Sequence, residues 1–448
     1  MERVMLICAP VTSRSGYGDH ARDLVRSFIN HKDYVIKIID VPWGDCPRNA
    51  LDKNNSEDKK ILDRILTNLE LPSQPDVYVD IRIPNEFETY GKFNIGITAG
   101  IETSAVSQAW VEGCNKMDLI IVPSEHSKNG FVNSVYDKIQ ELNGQQQKIG
   151  ELRLEKPMEV LFEGVDTNVY KPLSKEEISQ DFFDWLNNKI PEKFAFLHVG
   201  QWIKGGYGED RKDIGRMLKV FYESFANKKN RPALILKSSG ATFSVLDREE
   251  TINKIKEIKN NFPSDWKLPN VYLLHGDLSK KELNELYNHP KVKCMVSFTH
   301  GEGFGRPLLE ASMVGLPVMA SNWSGQVDFL DTKYALLIGG TLGKVPNAAT
   351  WRDIIISESQ WFTVNELEAY KVFNYAVKDY NKIKKNAKIL MDKNIDKFKL
   401  SDMTTKLKEI VDNRTAELPK SVSLNLPKLK KVDNNENSKL ELPKLKKV

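Results

Sequence analysis

Short apolar runs recur along this chain, separated by longer stretches in which apolar residues return every three or four positions. The first series comprises "VMLICAP", "YVIKIIDV", "DVYVDIRI", "FNIGITA", "DLIIVPS" and "MEVLFEGV". The second comprises "FAFLHVG", "PALILKS", "VYLLHGD", "KCMVSF", "LPVMAS" and "YALLIGG". Most lack strict alternation and are rich in Val, Ile and Leu, the pattern of strands buried on both faces of a parallel sheet. Between them, "DIGRMLKVFYESF" places Ile214, Met217, Leu218, Phe221 and Phe225 on one helical face. "SKKELNELYNH" opens with Ser279 and carries Glu282 three positions on, a capping box. Strands alternating with helices in two successive series predict two doubly wound α/β domains.

The polar segment "GVDTNVYKPLSKEE" separates the two series, giving domains over 1–172 and 173–390. Beyond residue 340 the pattern turns charged and helical, from "WRDIIISESQWF" to "DMTTKLKEIVDN", and 391–416 is expected to form a helical segment packing back on the first domain. From 417 to 448 the chain changes in kind. The unit LPKLKKV occurs at 426–432 and again at 442–448, and Leu418-Pro419-Lys420 is a fragment of a third copy. Proline in each unit breaks helix and the spacer is polar, so a disordered basic tail is expected.

Length and charge narrow the picture further. At 448 residues the chain exceeds one ordinary core, against a prior of roughly 150 residues per domain. The formal net charge is +4, and eight lysines against four acidic residues in 417–448 account for all of it. A balanced body offers no basic stripe for nucleic acid. The tail has three chemically open partners: an anionic membrane, a protein that reads a short motif, and nucleic acid bound through phosphate; a solvated flexible end is the plainer alternative. "MERVMLICAPV" reads as a buried strand rather than a signal peptide, and no run approaches the roughly 18 apolar residues of a membrane span. A cytoplasmic protein, able to sit peripherally at a membrane surface, is the expectation. Cys8, Cys46, Cys114 and Cys294 are scattered without metal-ligand spacing and read as reduced apolar residues.

The chemistry concentrates in "HGEGFGRPLLEASMVGLPVMASN", residues 300–322. "KCMVSF" predicts a strand, "THGEGFG" the loop after it, and Pro307 and Gly315 bracket a helix over about 307–314. Gly303 and Gly305 allow close approach of backbone N–H groups to a ligand, and the helix start adds positive potential suited to phosphate. Glu302 and Glu310 would repel a phosphate, so they fit better as acceptors of sugar hydroxyls. The combination points to a sugar diphosphate, against the plainer alternative of a loop residue, a solvated helix residue and turn glycines. His300 adjoins this loop and is expected to line the donor cleft; His198 and His275 read as satisfied residues at strand ends.

The string "EGFGRPLLEASMVGLPVMAS" resembles the E-x7-E signature of retaining glycosyltransferases of the GT-B fold, in the family 4 group. "APVTSRSGYGDHARDL" is similar to that family's N-terminal strand and glycine-rich loop, and "GITAGIETSAVSQAWVEGCNKMDLIIVPSEHSKNGF", "LFEGVDTNVYKP" and "VYLLHGDLSKKELNELY" resemble further segments, covering residues 1 to about 400. The resemblance implies two Rossmann-like domains, transfer of a sugar from a nucleotide-sugar with retention, and no metal; no Asp-x-Asp sequence occurs. It implies that Glu310 contacts the ribose and that Glu302 and the backbone of Gly303, Phe304 and Gly305 face the donor sugar and phosphates. Arg211 and Lys212 are expected at the leaving diphosphate, with Lys204 as the competing choice and Gln201 where relatives often carry Arg. Gly16 and Gly18, flanking Tyr17, are assigned to a loop that lets backbone approach the donor's diphosphate or the acceptor, with a purely structural turn as the alternative, and Asp19 to the helix N-cap. Many relatives carry a His near "GITAG"; here Glu102-Thr103-Ser104 follows, and Glu102 either orients an acceptor or sugar hydroxyl or satisfies a helix N-terminus. Whether the nucleotide is UDP, GDP or ADP, and what the acceptor is, stay open at this level. An epimerase or phosphorylase on the same scaffold, and a non-catalytic nucleotide-sugar-binding or tail-mediated interaction protein, are the alternatives.

Overall fold

The computed structural model describes residues 3–418, apart from 69, 72, 143, 144, 204 and 241. Lys204 and the LPKLKKV repeats therefore lie outside the described residues.

The strands are β1 (Arg3–Ala9), β2 (Tyr34–Asp40), β3 (Val77–Ile81), β4 (Phe93–Ile97), β5 (Leu119–Val122), β6 (Tyr136–Leu142), β7 (Gln145–Leu152) and β8 (Met158–Val160), then β9 (Ala195–Val199), β10 (Ala233–Lys237), β11 (Val271–Leu274), β12 (Val292–Ser297), β13 (Val318–Ser321), β14 (Leu336–Ile338), β15 (Gly340–Lys344) and β16 (Gln360–Val364). They build two six-stranded sheets of order β2-β1-β3-β4-β5-β8 and β11-β10-β9-β12-β13-β14, every pairing parallel. In each sheet the chain builds outward from one strand and then returns to pair on its other side. Loops leaving the adjacent strands at that reversal are where ligands bind in open α/β sheets. The reversal lies between β1 and β3 in the first sheet and between β9 and β12 in the second.

Both cores follow from the apolar runs. Met5, Ile7, Val77, Val79, Ile95 and Leu119 are buried in the first sheet, and Phe196, Leu234, Leu236, Cys294, Val296 and Met319 in the second. Helix Ile214–Phe225 covers the second sheet with Ile214, Met217, Leu218, Phe221 and Phe225, all buried, as its spacing requires. The four cysteines are unpaired.

Helix Tyr380–Lys397 packs on helix Arg306–Met313, joined by an Asn394–Ser312 hydrogen bond of 2.8 Å. The chain then crosses back. Helix Leu400–Thr415 lays Met403, Leu407 and Val411 against the first core, with Ser27 bonded to Thr404 at 2.7 Å and His31 Nε2 to Asp412 at 2.8 Å.

Three local details depart from the sequence reading. Residues 340–364 contain the antiparallel pair β15–β16 before the helices begin, where the charged pattern predicts helix. Val364, Phe362 and Trp361 are buried, so tertiary packing overrides the polar character of "SESQ". The hairpin β6–β7 was not anticipated, although "ELNGQQ" carries the Asn-Gly pair that favours hairpin turns. The N-cap of helix Gly16–Ile29 is Ser15, whose Oγ accepts from the Gly18 N–H at 3.0 Å. Asp19 stands in the first turn instead and pairs with Arg22 at 2.7 Å.

Candidate functional site

Lys212 and Glu302 leave from β9 and β12, the strands that flank the reversal of the second sheet. Their side chains meet in an ion pair, each about one-tenth exposed. The loop after β9 is fixed by Asp210, whose carboxylate accepts the Lys212 N–H at 3.0 Å and the Ile214 N–H at 3.1 Å. Burial, reinforced by Asp213, pushes the Asp210 carboxyl up to about 7. Asp213 adopts a left-handed backbone conformation at φ 48° just before the helix, which turns its neighbours Arg211 and Lys212 towards β12. Arg211 reaches Glu302 at 3.5 Å and, in the first domain, Glu102 at 3.3 Å. Two cations and two carboxylates thus share one junction between the domains. Burial pushes the Glu302 carboxyl up, but Lys212 and Arg211 pull it further down, so it is held ionised below its ordinary value.

The loop 301–305 is clamped by its glycines. A Cβ at Gly303 would stand 2.0 Å from the Ala99 carbonyl of the first domain. Its own carbonyl accepts from Ser124 Oγ at 2.6 Å. Gly305 is left-handed at φ 100° and caps helix Arg306–Met313. Phe304 turns its ring away from this junction into the core, against Phe329 and Phe398 at 5.2 and 6.3 Å, so only its backbone is available to a ligand. His300 lies beneath the loop, stacked on Trp361 at 3.8 Å, with Nδ1 bonded to the Phe362 carbonyl at 2.6 Å and Nε2 3.6 Å from Asp213.

Glu310 occupies the other end of the motif, one turn into the helix and buried. It accepts from Arg306 Nε at 3.1 Å and from the Tyr287 hydroxyl at 3.4 Å. Arg306 also reaches across the domain junction to Asp23 at 2.6 Å. Burial, with Asp19 adding repulsion, raises the Glu310 carboxyl despite Arg306. Nearby, burial pushes Glu163 up to about 7. Asp23, by contrast, is pulled below its ordinary value by Arg306, Lys280 and Arg26 against the effect of burial.

The glycines of the first domain divide. A Cβ at Gly18 would lie 2.2 Å from the Ser13 carbonyl, so this glycine serves packing under its own loop; Gly16 has open space around it at the helix start. Tyr17 between them stacks on Trp43 at 3.9 Å, and its hydroxyl accepts the Ala99 N–H at 3.1 Å.

The structure therefore brings Glu302, Arg211, Lys212, Glu102, Gly303 and Gly305 together and sets Glu310 at the far end of the same helix start. Missing from the sequence reading are Arg306, Asp23 and Ser124. Arg306 stood inside the motif, but its partner Asp23 belongs to the other domain. Among the described residues the His and carboxylate group compact enough to share a cation is His31, Asp33 and Asp412. It clasps the last helix, where Lys408 already lies 2.5 Å from Asp412, and takes no part in this junction. Among the described residues no helix is long and apolar enough to cross a membrane.

Comparison with known proteins places this geometry. A family model described as Glycosyl transferases group 1 matches residues 264–357, which include Glu302 and Glu310. The capsular polysaccharide biosynthesis glycosyltransferase CapM of Staphylococcus aureus is 28% identical over 155 residues, 35% of this chain; the chain spans 37% of the length of that curated relative. Among solved structures, Anabaena HepE in complex with UDP and glucose superposes with a TM-score of 0.58 at 12% identity, covering 92% of this chain and 100% of that one. Sucrose-phosphate synthase from Thermosynechococcus elongatus gives 0.60 at 11% identity, covering 93% and 100%. The fold is that of GT-B glycosyltransferases, and over residues 264–357 the chain is similar to the glycosyl transferases of group 1.

Proposed function

We propose that this chain is a retaining, metal-independent glycosyltransferase that takes a sugar from a nucleotide-sugar bound between its two Rossmann-like domains. The observation that carries the reading is the Lys212–Glu302–Arg211–Glu102 group, placed where loops of both domains converge. Breaking the bond between the sugar's anomeric carbon and the diphosphate builds negative charge on the departing oxygen. Fixed cations in a water-poor junction stabilise that charge as it develops. Lys212 and Arg211 are assigned to it. Glu302, relieved of Lys212 by the diphosphate, accepts from hydroxyls of the sugar, and Glu310 accepts from the ribose.

HepE was solved with UDP and glucose, which puts UDP first among the nucleotides to try. The test is thermal stabilisation by UDP, GDP, ADP and their common sugar conjugates, repeated with Glu310→Ala and Lys212→Ala. Ligand at 100 times its dissociation constant should add about 2.7 kcal/mol. A shift with one nucleotide, diminished in both variants, is expected. The absence of any shift in the wild-type protein would sink the donor-site assignment. Slow hydrolysis of the conjugate in buffer separates an enzyme from a protein that only binds it.

A further inference from the structure

His126 stands in the first turn of helix Glu125–Asn133, directly after two residues that tie this turn to the second domain. Ser124 donates to the Gly303 carbonyl at 2.6 Å, and the Glu125 N–H donates to Asp328 at 3.0 Å. The imidazole meets Trp323 of the second domain edge to face at 4.6 Å. Trp323 in turn lies against the signature loop, since a Cβ at Gly301 would stand 2.8 Å from its ring and 2.0 Å from the Glu102 carbonyl. The Thr103 backbone lies close enough to the ring to favour its charged form, the sense of a nearby carbonyl. Nε2 is shielded from solvent and has no hydrogen-bond partner among the described residues.

A shielded nitrogen without a partner is costly to keep. A phenyl ring would make the same edge contact with Trp323 without that cost, so packing does not account for a histidine here. In the tautomer that the nearby Thr103 backbone favours, with the proton on Nδ1, Nε2 presents a lone pair and suits a hydroxyl donor. Burial lowers the imidazole to about 4, so the lone pair is available at neutral pH. The surroundings are the Glu102–Thr103 segment, Gly301 and Trp323, which adjoin the Glu302 group.

Resting on the donor-site reading above, we propose that His126 Nε2 accepts a hydrogen bond from a hydroxyl of the donor sugar, making it a substrate-contacting residue that the motif does not include. The test measures dissociation constants of UDP, GDP and ADP and of UDP-glucose, UDP-galactose, UDP-N-acetylglucosamine, GDP-mannose and ADP-glucose, using the wild type, His126→Phe and His126→Gln. The phenylalanine keeps the ring contact and removes the acceptor; the glutamine returns an acceptor oxygen near Nε2. The expected result is that His126→Phe weakens the preferred conjugate about tenfold and leaves the bare nucleotide unchanged. His126→Gln recovers much of the loss, and the ligand-free Tm of His126→Phe equals or exceeds that of the wild type. Equal conjugate affinity in the wild type and a folded His126→Phe would overturn the proposal. So would a lowered Tm with unchanged conjugate binding, which marks a packing residue, or a wild type that binds no conjugate more tightly than its nucleotide. A wild type that binds no nucleotide at all overturns the donor-site reading, and this assignment falls with it.

Discussion

Glu302 and Glu310 belong to one loop-and-helix unit, both are buried, and their surroundings are opposite. Glu302 faces Lys212 and Arg211, and its carboxyl is held below the ordinary range although burial opposes it. Glu310 shares a single arginine with Asp23 and lies near Asp19 and Glu163, and its carboxyl is raised. One end of the motif is rich in cations and the other rich in carboxylates. On the proposed function this difference orients the ligand: the diphosphate, an anion, goes to the Lys212 end, and a ribose, offering hydroxyl donors, goes to the Glu310 end. Neither assignment rests on the spacing of two glutamates. Both rest on what the folded chain places opposite them.

The contrast can be broken most forcefully at Arg306. Replacing it with Met leaves the buried Glu310 without its paired cation and Asp23 with Arg26 at 3.3 Å alone, and removing one partner of a buried pair typically costs about 3–5 kcal/mol. Urea unfolding should show a loss of that order, and Asp23→Asn a smaller one because Arg306 keeps Glu310; an Arg306→Met protein as stable as the wild type would mean the carboxylate-rich end needs no cation.

At the opposite end, Lys212→Ala should lower kcat/KM by about 10²–10³, the loss typical of one charge-stabilising donor. A fall confined to KM would assign Lys212 to ground-state binding and not to the leaving group.

The two ends should also titrate in different windows. Glu163 has a folded value of about 7 against an ordinary 4.5, so the stability tied to its neutral form is complete below about 4.5 and lost as pH rises through 7. A Glu163→Gln variant should therefore gain on the wild type as pH rises, approaching about 3 kcal/mol by pH 8, with no advantage near pH 4. Glu302 has the opposite sign. Its folded value is depressed, so its contribution is present above 4.5 and fades as pH falls below it. Melting curves of the wild type, Glu163→Gln and Glu302→Gln across pH 4–8 separate the two; parallel profiles would erase the distinction.

The smallest effect expected is on Glu310→Gln, which keeps shape and hydrogen bonding but removes charge. Nucleotide affinity should fall about tenfold while the ligand-free protein is no less stable, since a raised carboxyl is lost. Calorimetry with the nucleotide found by the thermal screen measures both.

Much of this arrangement was legible in the chain. Apolar runs such as "FAFLHVG" and "KCMVSF" marked strands because both faces of a parallel sheet exclude water, and Pro307 and Gly315 marked the ends of a helix because each suits the backbone found there. The failures share a cause. Phe304 is expected at the donor through its backbone, and the sequence does not show that its ring is drawn into the core by Phe329 and Phe398. The strand Gln360–Val364 was hidden because its partner and its cover come from elsewhere in the fold. His126 carried no signal, since an unpaired Nε2 is a property of its surroundings.

The sequence alone determined the alternation of strands and helices, the switch from one sheet to the next, the signature loop and the residue types available for chemistry, because these depend on local backbone preference and on periodic burial. Tertiary structure decided which charges face each other: Lys212 with Glu302, Arg211 with Glu102, Arg306 with Asp23. Those pairings join loops from different strands and different domains, and the strength and sign of each interaction depend on distance and on exclusion from water, neither of which is written in the order of the residues.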